Sequence, residues 1–171
     1  TPIKSVSNTP NGMTFIRPNF VAYNRYDDKV YLVDSGNHRI VVFDTDLNYL
    51  DEFGVFGQEE GEFDDPRGIA FFENGDYLIN DYKNRRIQII SKDYKFKSAI
   101  ELNKITPFHY YSRIDNAGNI HVNFPEYGHL LSIIDRNGDR LSGYGELFSN
   151  YPNNLLPMDN AIHFVLDEKE N

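Results

Sequence analysis

The sequence predicts an all-β protein made of repeated four-stranded antiparallel units, and three observations carry that expectation. Asp34-Ser35-Gly36-Asn37-His38-Arg39-Ile40-Val41-Val42-Phe43 returns 47 residues later as Asp81-Tyr82-Lys83-Asn84-Arg85-Arg86-Ile87-Gln88-Ile89-Ile90. Self-similarity at a period of roughly 40–50 residues marks a repeat architecture. From about Phe20 onward, short β-branched and aromatic runs alternate with Gly, Asn, Asp and Pro clusters, which is how strands and their turns are written. No segment reads as an amphipathic helix: residues 47–52 are too few, and 153–161 are broken by Pro157.

Each strand follows from a run between two turn signals. The first unit contains runs at 20–23, 30–34, 39–44 and 49–53. Its turns are Arg25-Tyr26-Asp27-Asp28, Ser35-Gly36-Asn37-His38 and Thr45-Asp46-Leu47-Asn48. The second contains 68–72, 76–80, 86–91 and 96–102, and the third 110–114, 119–123, 130–135 and 141–145. Asn74-Gly75 and Asn137-Gly138 predict tight type I′ hairpin turns, which need positive φ at both central residues. Pro18 and Pro66 each precede a first strand, where a missing N–H removes no ladder bond. The organisation expected is a leading segment, 1–14, able to lend an outer strand to a neighbouring unit. Units at 15–61 and 62–104, a divergent unit at 105–150, and the start of a further one at 151–171 follow it.

Composition narrows the function classes. The 171 residues carry a formal net charge of −9 and no Cys. That charge opposes broad affinity for nucleic acid or anionic membrane, and thiolate metal sites and disulfides are excluded. The longest apolar runs are about four residues, so no transmembrane helix is written here. An Asn-, Asp- and Tyr-rich, Cys-free chain suits an extracytoplasmic setting such as a bacterial envelope or periplasm, or secretion.

The pattern Gly54-x-x-Gly57-x-x-x-Gly61-x-Phe63-x-x-Pro66-x-Gly68-Ile69-Ala70, then Gly75-Asp76-Tyr77-Leu78-Ile79, then Asp81-x-x-Asn84-x-Arg86-Ile87 resembles an NHL repeat. The earlier unit carries the Asn37-His38-Arg39-Ile40 form of the signature. The resemblance covers about residues 15–102 and weakens in the third unit, where Asn123-Phe124-Pro125-Glu126 stands in place of Asp-x-x-Asn and Gly128-His129 replaces the Arg. It implies a β-propeller whose blades are the four-stranded units, most readily one of six blades. Three units and a fragment do not close such a ring. The remaining blades would come from a longer chain or from another copy.

Repetition also sorts the residues that look functional. Asp34, Asn37 and Arg39, with their counterparts Asp81, Asn84 and Arg86, bracket the turn between second and third strands. A single active centre rarely needs the same residues twice, so the set is expected to brace that turn, with each Asn bonding backbone groups inside it. His38 belongs to the signature and is expected to pack or lie on the surface. His121 alternates with Ile120 and Val122, and His163 lies in an apolar run; no His-x-His or His-x3-His spacing marks a zinc site. Asp135-Arg136-Asn137-Gly138-Asp139 lacks the spacing of a calcium loop and is expected to be a turn. Neither a nucleophile elbow nor a phosphate-cradling loop is written.

What remains is a non-catalytic binding or assembly module that recognises a protein or a small ligand. Its candidate surface is the end carrying the second-to-third-strand turns and the connections between units. There Arg67, Arg85, Phe108, His109, Glu126, Tyr127 and His129 are the candidate contacts. The last five belong to the divergent unit, which is released from keeping the repeat's own pattern. No cofactor is expected on this reading. The alternative is a metal-dependent propeller enzyme, of lactonase or amidating-lyase type, holding calcium or zinc at the axis.

Overall fold

Alternation decides how these strands are used. In Lys29–Asp34 (β2), Tyr31 and Val33 lie on one face and Val30 and Leu32 on the other, because successive side chains in a strand point to opposite sides. In the computed structural model, which describes residues 4–102, 112–122 and 129–146, every strand is placed by this rule.

Unit one consists of Pro18–Asn24 (β1), β2, Arg39–Phe43 (β3) and Tyr49–Phe53 (β4). Unit two consists of Pro66–Phe71 (β5), Tyr77–Asp81 (β6), Arg86–Ile90 (β7) and Phe96–Glu101 (β8). Unit three consists of Ser112–Ile114 (β9), Ile120–Val122 (β10), His129–Ile134 (β11) and Arg140–Glu146 (β12). Each set forms one antiparallel sheet in sequence order. The all-β architecture of four-stranded units is therefore the one the repeat predicts, with strand ends moved by one or two residues.

Two apolar layers join the sheets. Tyr31, Val33, Ile40 and Val42 of unit one meet Ile69, Tyr77, Ile79 and Ile90 of unit two, with Phe63 from the connection closing the layer. The opposite face of unit two sends Leu78, Ile87, Ile89 and Ile100 against Ile120, Val122 and Ile134 of unit three. Unit two is thus covered on both faces, which is why β6 is buried throughout. Each fully buried aliphatic or aromatic side chain of this kind contributes about 1.5–3 kcal/mol. Unit one shows its other face to solvent at Val21 and Tyr23. Residues 4–14 add no strand to these sheets; Asn8 and Thr14 bridge across a turn in which the Gly12 N–H donates to Thr9 O.

The turns differ from the type I′ expectation. Gly75 and Gly138 have φ of 88° and 89°, but Asn74 and Asn137 are not left-handed. The Gly138 N–H donates to Asp135 O at 3.1 Å and the Asp135 N–H to Asp139 O at 2.9 Å. That is a type I turn followed by one left-handed residue, the three-residue hairpin with a bulge. Leu47 and Tyr94 take the left-handed place in two further copies, at φ 59° and 61°. Gly118, at φ 84°, does the same in the turn from Asp115 to Asn119. In three turns of this form the leading Asp is the organiser: the Oδ1 of Asp44, Asp115 and Asp135 accepts the N–H of Asn48, Asn119 and Asp139 respectively, at 2.8–2.9 Å.

Candidate functional site

The repeated polar set is one hydrogen-bonded knot, present twice. Asp34 Oδ2 accepts Arg39 Nε at 2.9 Å and Asn37 Nδ2 at 2.8 Å, while its Oδ1 accepts the Ile16 N–H at 2.8 Å. Asp81 Oδ2 accepts Arg86 Nε at 2.8 Å and Asn84 Nδ2 at 2.9 Å, and its Oδ1 accepts the Asp64 N–H at 2.8 Å. Both carboxylates are fully buried. The asparagines do not bond the turn they sit in. Asn37 Nδ2 donates to Thr14 O and Asn84 Nδ2 to Gly57 O, both at 2.8 Å, so each ties the turn to the incoming connection. Arg86 Nη2 adds Glu59 O and Glu62 O at 2.7 and 3.0 Å. A buried carboxylate needs a paired cation and filled lone pairs, and each knot supplies both.

The knots set the geometry of one end of the molecule. They hold the turn after β2 against residues 14–16, and the turn after β6 against the connection 54–65. His38, left-handed at φ 57°, accepts the Asp65 N–H on Nδ1 at 3.1 Å and lies edge-on to Phe56 with ring centroids 4.7 Å apart. Asp64 Oδ1 has His38 Nδ1 and Lys83 Nζ each at 3.5 Å. Gly36 lies against Ile16 and donates its N–H to Ile16 O at 2.7 Å. Phe56 is 67% exposed and Val55 61%, and Met13 and Ile16 are exposed with them. Solvent-facing apolar side chains held on a hydrogen-bonded frame can bury area against a partner with little ordering penalty.

The candidate contacts fall into four groups. Arg85 sits at the left-handed position of the turn after β6, φ 55°, and is exposed. Arg67 is largely covered: its guanidinium lies 3.7 Å from the Tyr82 ring centroid and 3.0 Å from Asp65 Oδ2, a carboxylate that also faces Arg17. His129 opens β11 opposite Glu146. Phe108, His109, Glu126 and Tyr127 lie outside the described residues, as do His163 and the segment 151–171. Sequence reasoning missed Phe56 and Val55, since an apolar pair in a Gly-rich connection looks the same whether buried or exposed. It also missed Gln88, wholly buried in β7, whose amide donates to Glu62 O at 2.7 Å and accepts the Gly61 N–H at 3.0 Å. A lone amide in an otherwise apolar strand was the available signal.

Two buried polar pairs lie elsewhere. Tyr31 OH donates to Asp27 Oδ2 at 2.6 Å and lies 3.1 Å from Tyr77 OH; burial, then that carboxylate, pushes the Tyr31 hydroxyl far above its ordinary range. His121 Nε2 stands 3.1 Å from Asp115 Oδ2. Desolvation pushes the Asp115 carboxyl up, but hydrogen bonds from His121 and Asn119 outweigh it and hold the group below its ordinary value. Among the described residues no three His, Asp or Glu side chains converge to hold a metal ion.

A family model described as "NHL repeat" matches residues 15–43. Protein brain tumor of Drosophila melanogaster is 29% identical over 125 residues, which are 70% of this chain and 12% of that protein. B-box type zinc finger protein ncl-1 of Caenorhabditis elegans is 43% identical over 49 residues, 29% of this chain and 6% of that protein. The chain therefore spans a small part of these curated relatives. Among solved structures, a putative exported protein from Bacteroides fragilis superimposes with a TM-score of 0.63 at 16% identity, covering 84% of this chain and 40% of that one. Virginiamycin B lyase from Staphylococcus aureus does so with a TM-score of 0.56 at 15% identity, over 75% and 41%. At these identities the structural likeness speaks to the fold.

Proposed function

The chain carries NHL-repeat blades of a β-propeller, and from that premise we propose that it is a non-catalytic recognition module whose protein partner docks on the connection end. One observation carries the reading: Phe56 and Val55 stand exposed at that end, with Arg85 on the next turn of the same end. The hydrogen-bonded knots beneath them supply rigidity. Aromatic and arginine side chains on a fixed frame are the residue types that dominate protein–protein binding energy. Under this reading Asp34, Asn37, Arg39, Asp81, Asn84 and Arg86 are frame, and the side chains above them are contacts.

Site-specific photocrosslinking tests it. A benzoylphenylalanine at position 56 in the full-length protein, expressed in its source cells, should yield a discrete protein adduct. The same group at Leu141, exposed on β12, should not. Equal adducts from both positions, or none from position 56, would count against the proposal.

A further inference from the structure

His38 closes the turn after β2, and its ring stands between two groups that need opposite things from it. Its Nδ1 accepts the Asp65 N–H at 3.1 Å. A backbone N–H only donates, so Nδ1 carries no proton and the ring is the neutral Nε2–H tautomer. Asp64 Oδ1 lies 3.5 Å from the same nitrogen. That oxygen is buried and has no hydrogen-bond partner among the described residues, although Lys83 Nζ is also 3.5 Å away. The Asp65 N–H belongs to a buried residue held left-handed at φ 57°, immediately ahead of β5.

One proton exchanges these partners. In an imidazolium both ring nitrogens are donors, so Nδ1 gives up the Asp65 N–H and points its own hydrogen at Asp64 Oδ1. A charge-assisted contact of that kind closes to about 2.7–2.9 Å, which draws the ring toward Asp64. The charged groups around it are divided. Asp64 and Asp65 on the connection favour the imidazolium. Lys83, on the turn after β6, shares Asp64 and opposes it, while Arg17 and Arg67 both face the Asp65 carboxylate. On the side of β3, Arg39 is committed to Asp34 and Glu52. The ring is also the neighbour of exposed Phe56, at 4.7 Å between centroids. Moving it loosens that contact and sets a positive charge beside Phe56 and Val55.

We propose that His38 is a proton-operated latch on the connection end. The neutral ring holds Asp65 and Phe56 in the form that docks a protein partner; the imidazolium turns to Asp64 and releases it. Histidine suits this use because its charge changes between about pH 5 and 8, and an apolar docking face pays a desolvation cost over a charge that it does not pay over a neutral ring. The release rests on the recognition reading above, whereas the exchange of hydrogen bonds does not.

Nuclear magnetic resonance of the full-length protein, isotope-labelled at histidine and aspartate, reads the exchange directly between about pH 8 and pH 5. The protection factor of the Asp65 amide against hydrogen exchange should fall at least about tenfold over the step in which His38 Nδ1 gains its proton. Asp64→Asn should move that step to lower pH, since the imidazolium loses a nearby opposite charge. His38→Asn offers an acceptor on the same Cγ and tolerates the left-handed backbone, so its Asp65 amide should stay protected across the range. Protection that is level through the His38 titration, or a step unmoved in Asp64→Asn, would overturn the latch. A photocrosslinker at Val55, in extract of the source cells buffered at both ends of the range, separates the two claims. Its discrete adduct should drop across the step in wild type and stay level in His38→Asn. A level adduct in wild type overturns the release. No adduct at either pH overturns the recognition reading, and the release with it, while the hydrogen-exchange result stands.

Discussion

The wholly buried Asp81 carboxylate accepts Arg86 Nε at 2.8 Å, and Asp34 and Arg39 repeat the contact at 2.9 Å one blade earlier. In both blades the second carboxylate oxygen holds a backbone N–H of the incoming connection. Each aspartate therefore joins three segments: its own strand, the turn after it and the chain entering the blade.

Asp81→Asn keeps the shape and removes the charge, leaving Arg86 without its buried counter-ion. Breaking such a pair costs about 3–5 kcal/mol, a large share of the roughly 5–15 kcal/mol that holds a typical domain together. The midpoint of urea unfolding should fall by that equivalent, and Asp34→Asn should do the same. A loss under about 1 kcal/mol would mean that the pair behaves as a surface ion pair.

Gly54→Ala tests how tightly the connection is held. Gly54 has φ +94°, and an added Cβ would stand 2.5 Å from two Phe63 ring carbons and 3.1 Å from His38 O. Left-handed strain and overpacking together should cost about 2–4 kcal/mol. Thermal unfolding of the variant beside wild type measures it.

Acid should weaken the third blade through its leading turn. The Asp115 carboxyl, held down by His121 and Asn119 against desolvation, binds its proton less readily folded than unfolded. Its stabilisation is then fully present above the ordinary carboxylate pKa of about 4 and is lost as pH falls through the lowered folded value. The melting-temperature advantage of wild type over Asp115→Asn should be constant above about pH 5 and shrink below about pH 4.

Alkali should act on the aromatic layer between units one and two. Burial, the largest cause in each case, raises the hydroxyls of Tyr31, Tyr77 and Tyr94, and Tyr94 stacks on Phe53 at 4.4 Å. These groups stay protonated in the folded state above the ordinary tyrosine value of about 10, so their stabilisation is present below it and lost as pH rises. Tyrosinate absorbance should rise in two phases, the later one coinciding with loss of near-ultraviolet circular dichroism. A single phase near pH 10 would contradict this packing.

The strands were legible because β-branched runs and turn residues alternate, and because two units keep the same Asp, Asn, Arg and Ile in step from Asp34 and Asp81. Turn type was less legible. Asn74-Gly75 and Asn137-Gly138 look like type I′ pairs, but the Asp135 carboxylate captures the Asn137 and Asp139 N–H groups and draws its loop into a three-residue form. Leu47 and Tyr94 occupy the same left-handed place without any glycine signal. The destination of the Asn37 and Asn84 amides was hidden because Thr14 and Gly57 lie 23 and 27 residues away in sequence. Phe56 was hidden for a different reason: exposure in a connection is decided by what packs over it.

The measurement closest to the central claim pairs stability with recognition in one variant, Phe56→Ser with Arg85→Glu. Exposed residues outside the knots should leave the melting temperature within about 3 °C of wild type, the equivalent of some 0.5 kcal/mol. The adduct formed by a photocrosslinker placed at Val55 should disappear. An adduct that persists undiminished, or a melting temperature that collapses with it, would contradict the division between frame and contact on which this account rests.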